Sequence, residues 1–177
     1  MRALGHSLPI VKRTFVVLVA VSLALIVPSG AARAAGTWTW PVVGAVVRGF
    51  DPPSSPYGSG HRGIDIGATV GTPVFAPAPG VVTFAGSVAG RLYVTIDHGG
   101  GVLSTASFVS TVLVRKGDLV TQGQLVALSG TGHAGDVSPN LHFGVRLNGQ
   151  YVDPLDYLGP IDVSDLIHLA PVLPVFG

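Results

Sequence analysis

The chain has 177 residues, of which 47% are hydrophobic and only 11% are charged, and it contains no cysteine. This composition excludes an extensively disordered chain, disulfide bonds, cysteine-based zinc sites and thiol nucleophiles. All nine acidic residues are aspartate, which also excludes the helical zinc motif H-E-x-x-H and any mechanism that needs a glutamate base.

The first 35 residues have the pattern of a secretory signal peptide. A positively charged start precedes a mostly apolar run over 15–27, and small residues suited to cleavage follow near Ala34 and Ala35. The run is shorter than the roughly 20 residues of a membrane-spanning helix, so no stable membrane span is expected after cleavage. An uncleaved anchor is the alternative. Either way we expect the domain to be secreted, extracytoplasmic or associated with the cell wall.

The charge of the predicted mature chain differs from that of the whole chain. The formal net charge of the full sequence is +1, but four of the ten basic residues lie within the signal segment and no aspartate does. The mature chain therefore keeps six basic residues against nine aspartates. It offers no basic stripe that would neutralise phosphates, which argues against a nucleic-acid partner.

Residues 36–158 are predicted to form one all-β domain built on a mainly antiparallel sheet. Short apolar runs alternate with turns rich in glycine, proline and asparagine, and no segment after the signal shows sustained helical periodicity. The predicted strands and hairpins lie within 42–50, 71–88, 91–101, 101–110, 112–130 and 141–158. The apolar tail 159–177 contains three prolines, and its packing against the sheet stays open.

The segment GHRGIDIG places His61 four residues before Asp65. Its glycines disfavour a helix, and in an extended segment positions 61, 63 and 65 share one face. Both side chains are then expected to point at one spot, with Gly63 leaving room for an ion. The alternatives are a solvated loop histidine and an aspartate that caps a turn.

A second histidine lies in the segment SPNLHFGVRLNG, residues 138–149. Three apolar residues, Leu141, Phe143 and Val145, alternate with His142 and its neighbours, which is typical of a strand with one buried face. His142 is therefore expected to point away from the apolar face, and Asn140 to point the same way. A hydrogen-bonded strand histidine without a metal is the alternative.

His61, Asp65 and His142 together offer two imidazoles and one carboxylate. This donor set suits Zn²⁺ with a fourth position left open, which is the arrangement of catalytic zinc sites. We therefore predict a metal site that includes these three residues.

Four blocks of the sequence, in this order, resemble the M23 peptidase family. They are WPVVGAVVRGF, HRGIDIGATVGTPVFAPAPGVV, VRKGDLVTQGQLVALSGTG and LHFGVRLNGQYVDPLDYL, between about Trp40 and Leu158. The family comprises zinc endopeptidases of the LytM or lysostaphin type, which cut peptide cross-links in the bacterial cell wall. By match of motif, the resemblance implies that His61, Asp65 and His142 are the zinc ligands.

The same resemblance implies that two catalytic histidines are missing. The last family motif is H-x-H, whose first histidine is not a ligand, and Asn140 stands at that position. A further family histidine lies in a Y-x-H-L motif, and alignment to the following K-x-G-D turn places Ser107 there. His133, in the glycine-rich loop before Asn140, is a candidate substitute, although its position favours a residue on the rim of the groove.

Two functions follow from these expectations. Family members that lost catalytic residues act as regulators, so the resemblance implies a peptidoglycan-directed domain that binds wall peptide or a partner cell-wall hydrolase. The alternative is an active zinc metalloendopeptidase that cleaves cross-link peptides, relying on His133 or on metal-bound hydroxide alone. A third possibility is a wall-binding module without a metal. The sequence favours the regulator.

Overall fold

The computed structural model describes residues 36–55 and 58–160. Within these ranges the chain forms eleven strands and one short 3₁₀ helix. The strands are β1 (Val46–Arg48), β2 (Ile64–Gly67), β3 (Pro73–Phe75), β4 (Gly80–Val88), β5 (Arg91–Asp97), β6 (Val102–Val109), β7 (Thr111–Val112), β8 (Leu119–Val120), β9 (Leu125–Leu128), β10 (Asn140–Leu147) and β11 (Gln150–Val152). The 3₁₀ helix is Pro154–Asp156.

The strands form two sheets. The larger has eight strands in the order β1-β2-β10-β6-β5-β4-β8, with β11 paired to β10, and the smaller has the order β3-β9-β7. Every strand pairing in both sheets is antiparallel. This confirms the predicted all-β, mainly antiparallel class of the lysostaphin-like type.

The apolar core draws on both sheets. Val74 of β3 and Val126 of β9 belong to the same buried cluster as Ile66 of β2 and Phe143 of β10. Fully burying a side chain of this size stabilises the fold by about 1.5–3 kcal/mol. Because the core fixes one face of β2 and β10, the opposite face of these two strands is held in place for other side chains.

The strand boundaries follow the turn chemistry of the sequence. The hairpin between β10 and β11 turns at Asn148 and Gly149, whose φ angles are +50° and +83°, as a tight two-residue turn requires. The strand predicted within 42–50 is reduced to the three residues of β1, whose pairing with β2 is irregular between Val46 and Arg48.

Several predictions from the sequence concern residues outside the described ranges. The signal segment 1–35 lies outside them, as does the tail from 161 onward. The segment boundaries 1–35, 36–158 and 159–177 therefore stay predictions. Across residues 36–55 and 58–160, no helix combines the length and apolarity that crossing a membrane requires.

Candidate metal centre

The centre is built on the pairing of β2 with β10. In this antiparallel ladder His142 lies directly opposite Asp65, so the two side chains share a face of the sheet. His61 precedes β2 and is held by a two-way backbone bridge to Asp51, with N···O distances of 2.6 and 3.0 Å. The structure thus brings together the three residues that the sequence singled out.

The three side chains converge through one atom each. Oδ1 of Asp65 lies 2.8 Å from Nδ1 of His142 and 3.1 Å from Nε2 of His61, and the two imidazole nitrogens are 3.0 Å apart. Asp65 and His61 are buried, with 1% and 3% of their surface exposed, and His142 is half-buried. A buried carboxylate requires this kind of compensation, because its desolvation is costly.

The tautomer of His61 favours metal binding. Its Nδ1 lies 2.7 Å from the carbonyl oxygen of Gly49, which can only accept a hydrogen bond, so Nδ1 carries the proton. In the neutral ring, Nε2 then presents a lone pair to the carboxylate oxygen of Asp65. Two acceptors in contact need a cation or a proton between them. A histidine that donates its other ring N–H to a backbone carbonyl is typical of a metal ligand.

The electrostatics of the centre keep Asp65 ionised. Burial alone would raise the pKa of this carboxyl, but the hydrogen bond and charge of His142, with the charges of His61 and His133, together lower it. The donor set at neutral pH is therefore one carboxylate and imidazole nitrogens, which fits Zn²⁺.

Gly63 has a different role from the one expected. The sequence suggested that this glycine leaves room for an ion, whereas a Cβ built on it would collide with the backbone carbonyl of Phe143. Its missing side chain therefore allows the chain before β2 to lie against β10, which positions His61. Gly63 is therefore required for the close approach of two backbone segments, and not for the space around an ion.

A third imidazole joins the cluster. Nε2 of His133 lies 3.1 Å from Nδ1 of His142 and 3.3 Å from Oδ1 of Asp65. The four donor atoms of His61, Asp65, His133 and His142 all lie within 4.8 Å of one another. The sequence favoured a position on the rim of the groove for His133, but the loop folds inward and its side chain is only 28% exposed.

Comparison with known proteins decides the family. The model of Peptidase family M23 matches residues 59–154, more than half of the chain. The chain belongs to peptidase family M23. This assignment agrees with the resemblance read from the sequence blocks, and it includes His61, Asp65, His133 and His142 in the matched region.

Individual relatives of this M23 domain are bacterial proteins. It is 36% identical over 126 residues to the uncharacterised lipoprotein YgeR of Escherichia coli, covering 70% of this chain and 47% of the relative. It is 37% identical over 125 residues to the E. coli murein hydrolase activator NlpD, covering 69% and 31%. The chain thus spans less than half the length of these curated relatives.

A solved structure supports the same assignment. The structure of a zinc containing peptidase from Vibrio cholerae matches this M23 domain with a TM-score of 0.59 and 28% identity, covering 71% of this chain and 41% of that one. A zinc-containing relative on the same fold is in keeping with the donor set found here.

Ser107 of the M23 domain faces the same centre. It lies on β6, directly opposite His142 in the β6–β10 ladder, and it is buried with 5% of its surface exposed. Its hydroxyl borders the groove beside the cluster. A serine hydroxyl is not a base at neutral pH, so this position contributes no proton acceptor.

Asn140 is turned away from the point where the donor atoms converge. Its amide nitrogen donates to Oδ2 of Asp136 at 2.7 Å and to the carbonyl oxygen of Ser138 at 3.2 Å. The alternation of β10 correctly predicts that Asn140 shares the face of His142. The hydrogen bonds direct its side chain into the 131–138 loop.

A groove of about 530 Å³ opens beside the centre. Its lining includes His133 and His142 together with three arginines, Arg48, Arg62 and Arg146. None of the described residues that line it is an aspartate. The groove therefore has a positive balance of charge that suits a ligand with carboxylates.

The remaining described histidine lies elsewhere. His98 bonds through Nδ1 to the carbonyl oxygen of Pro79 at 2.8 Å and through Nε2 to the hydroxyl of Ser104 at 2.7 Å, and its ring packs on Trp38. Burial is the main cause that lowers its pKa. These contacts assign it a structural role.

Proposed function

We propose that this M23 domain is exported, binds Zn²⁺ through His61, Asp65 and His142, and regulates or targets cell-wall hydrolysis without efficient turnover of its own. The observation that carries the proposal is the chemistry at positions 107 and 140. A serine hydroxyl and an amide engaged with Asp136 stand where the family motifs have histidines. Neither group accepts a proton at neutral pH.

The expected loss of rate is large. A bound zinc ion supplies Lewis-acid polarisation of a peptide carbonyl and activation of water. In such reactions a positioned proton acceptor of the protein raises the rate by about 10²–10⁴-fold. One hydrogen-bond donor to the developing negative charge raises it by about 10²–10³-fold. Ser107 can donate a hydrogen bond from the groove wall but cannot take up the proton. Binding and orientation of a peptide are the tasks that the groove retains.

The partner is inferred from the relatives and from the groove. NlpD, which is 37% identical over the matched region, is named a murein hydrolase activator. Arg48 and Arg146 in the groove lining offer guanidinium groups to the carboxylates of a peptide. We therefore propose peptidoglycan peptide or a cell-wall hydrolase as the partner.

Export is part of the proposal. It is supported by the signal pattern of residues 1–35 and by the similarity to the lipoprotein YgeR. Expression with and without residues 1–35, followed by fractionation, tests it. Retention of the full chain in the cytoplasm would contradict export while leaving the zinc and regulatory parts intact.

One sample tests the central proposal. Purified residues 36–177 should hold about one zinc per chain by elemental analysis, and should release little soluble peptide from purified peptidoglycan. Adding the protein to a candidate cell-wall hydrolase should increase release above that of the hydrolase alone. An active M23 endopeptidase is the control for the digestion. Release by the protein alone at the rate of this control would refute the regulator.

One observation favours the alternative function, an active zinc endopeptidase. Nε2 of His133 lies at the centre, where an imidazole could act as the general base of an active endopeptidase. Digestion of peptidoglycan that disappears in His133→Ala while zinc content is unchanged would establish this alternative. The same result would exclude the regulator as the main activity.

A further inference from the structure

We infer that His133 is the fourth ligand of the proposed zinc centre, held there by Asn140 through Asp136, so that the centre is closed rather than open. The inference rests on the zinc site of the proposed function and adds to it a reason for the lack of turnover. Closed four-ligand zinc sites are structural, whereas catalytic sites keep one position for water or substrate.

The distances place His133 among the ligands. A tetrahedral zinc with N and O ligands at about 2.0–2.2 Å separates its ligand atoms by roughly 3.3–3.6 Å. Nε2 of His133 lies 3.1 Å from Nδ1 of His142 and 3.3 Å from Oδ1 of Asp65, which is close to that separation. Nε2 of His133 and Nε2 of His61 lie within 4.8 Å of each other, and tetrahedral coordination of zinc would bring these two atoms to the same separation as the other pairs.

These distances distinguish a ligand from a base. A base that acts through a water lies about 2.6–3.2 Å beyond that water, outside the group of ligand atoms. The imidazole of His133 is instead in direct contact with two of the other donor atoms. It therefore occupies the place that water or a peptide carbonyl would need.

A carboxylate latch holds the loop in this position. Oδ2 of Asp136 accepts the backbone N–H of His133 at 2.7 Å and also the amide of Asn140 at 2.7 Å. Asn140 is anchored in β10 and is 2% exposed, so it fixes the latch to the sheet. The residue at the position of the missing family histidine thereby positions the histidine that closes the centre.

Phe108 supports the other side of the His133 ring. The two ring centroids are 4.5 Å apart in an edge-to-face arrangement. The guanidinium carbon of Arg91 lies 4.8 Å from the centroid of the Phe108 ring. Phe108 has a φ of +61° at an irregularity of the β5–β6 ladder. Such a conformation is strained for a bulky residue, and it persists only where the surrounding structure holds it in place.

Zinc coordination is the direct test. X-ray absorption at the zinc edge should count three imidazoles in the wild type and two in His133→Ala. Chelator competition should show zinc binding more than about 100-fold weaker in the variant, because loss of a residue that only hydrogen-bonds a ligand costs about 10–100-fold. His98→Ala removes another half-buried imidazole and should change neither value. An unchanged imidazole count or affinity in His133→Ala would overturn the inference.

The latch has its own matched pair of variants. Asp136→Ala should weaken zinc binding by about 10–100-fold, as loss of an outer partner does. Asp118→Ala is the control, because Asp118 also accepts a backbone N–H from three residues earlier, that of Arg115 at 2.8 Å, but in a turn remote from the centre. Equal zinc affinities in these two variants would refute the latch. Asp136 is exposed, so its replacement leaves the core intact.

The outcomes separate this inference from the proposed function. Three imidazoles on zinc together with peptidoglycan digestion by the wild type would refute the regulator and the closed centre, and would keep only His133 as a ligand. Two imidazoles in the wild type with no digestion would refute the fourth ligand but keep the regulator. Two imidazoles with digestion that requires His133 would refute both.

Discussion

The sheet-borne and loop-borne parts of the centre are held by different means. Asp65 and His142 sit opposite each other on paired strands, whose ladder and apolar core fix their separation. His133 reaches the same point from the 131–138 loop, which depends on the carboxylate of Asp136 and on the ring of Phe108. The sheet therefore carries Asp65 and His142 of the proposed zinc site, and the loop carries the proposed fourth ligand, His133.

The two parts also differ electrostatically. Asp65 is buried and its pKa is lowered despite that burial, because imidazoles surround it. For His133 burial is the largest influence and lowers the pKa, with the charge of Asp65 opposing it. The sheet contributes the negative charge of the centre, and the loop contributes an imidazole whose charged form is disfavoured by burial.

The largest effect is expected from the sheet-borne carboxylate. Asp65→Asn removes the charge that contacts all three imidazoles, and zinc affinity should fall by more than the roughly 10–100-fold cost of an outer partner. Chelator competition measures the loss. Asp118→Asn, in an exposed turn, should bind zinc like the wild type. Equal affinity in both variants would remove Asp65 from the ligand set.

Metal removal should affect the loop more than the sheet. A ligand present at 1,000 times its dissociation constant stabilises the folded state by about 4 kcal/mol. Chelation should therefore lower the melting temperature by roughly 10–20 °C. Hydrogen exchange should rise over 131–138 and little over the β4–β5 hairpin. A uniform rise in both regions would show that the two parts are not held separately.

Two glycines of the 131–138 loop should differ in how strongly an alanine substitution destabilises the protein. Gly132 and Gly135 both have positive φ, +83° and +91°, so an alanine at either place costs about 1–2 kcal/mol of backbone strain. Only at Gly132 would a Cβ meet the side chain of Asn140, at 2.6 Å, which adds about 1–3 kcal/mol of overpacking. Urea unfolding should therefore rank Gly132→Ala as the less stable variant. The reverse ranking would contradict the packing of Asn140 against the loop.

The smallest effect concerns His98, outside the centre. Because burial lowers its pKa, the unfolded chain takes up a proton near pH 6.5 before the folded chain does, and the free energy of unfolding should decrease as pH falls through that value. Above pH 6.5 both states are neutral at this ring and the contribution is flat. His98→Gln should unfold with a shallower dependence between pH 7 and 5.5. An unchanged slope would exclude His98 as a source of acid sensitivity.

Local sequence pattern predicted the sheet-borne part well. The alternation of Leu141, Phe143 and Val145 with His142 fixes which face of β10 carries the imidazole, because the period of a strand is two. The role of Gly63 was not predicted: the sequence suggested that it leaves room for an ion, whereas its missing side chain makes room for the backbone carbonyl of Phe143. The hairpin at Asn148 and Gly149 could be read directly from its turn chemistry.

The sequence by itself determined an all-β M23 chain with two imidazoles and a carboxylate at one spot, because strand periodicity and motif order are local properties. Only the tertiary structure decided the position of His133 and the direction of the Asn140 amide. Both depend on contacts between the loop, β6 and β10, namely the Asp136 hydrogen bonds and the Phe108 ring. A loop has no period that fixes its face, so long-range contacts alone place its side chains.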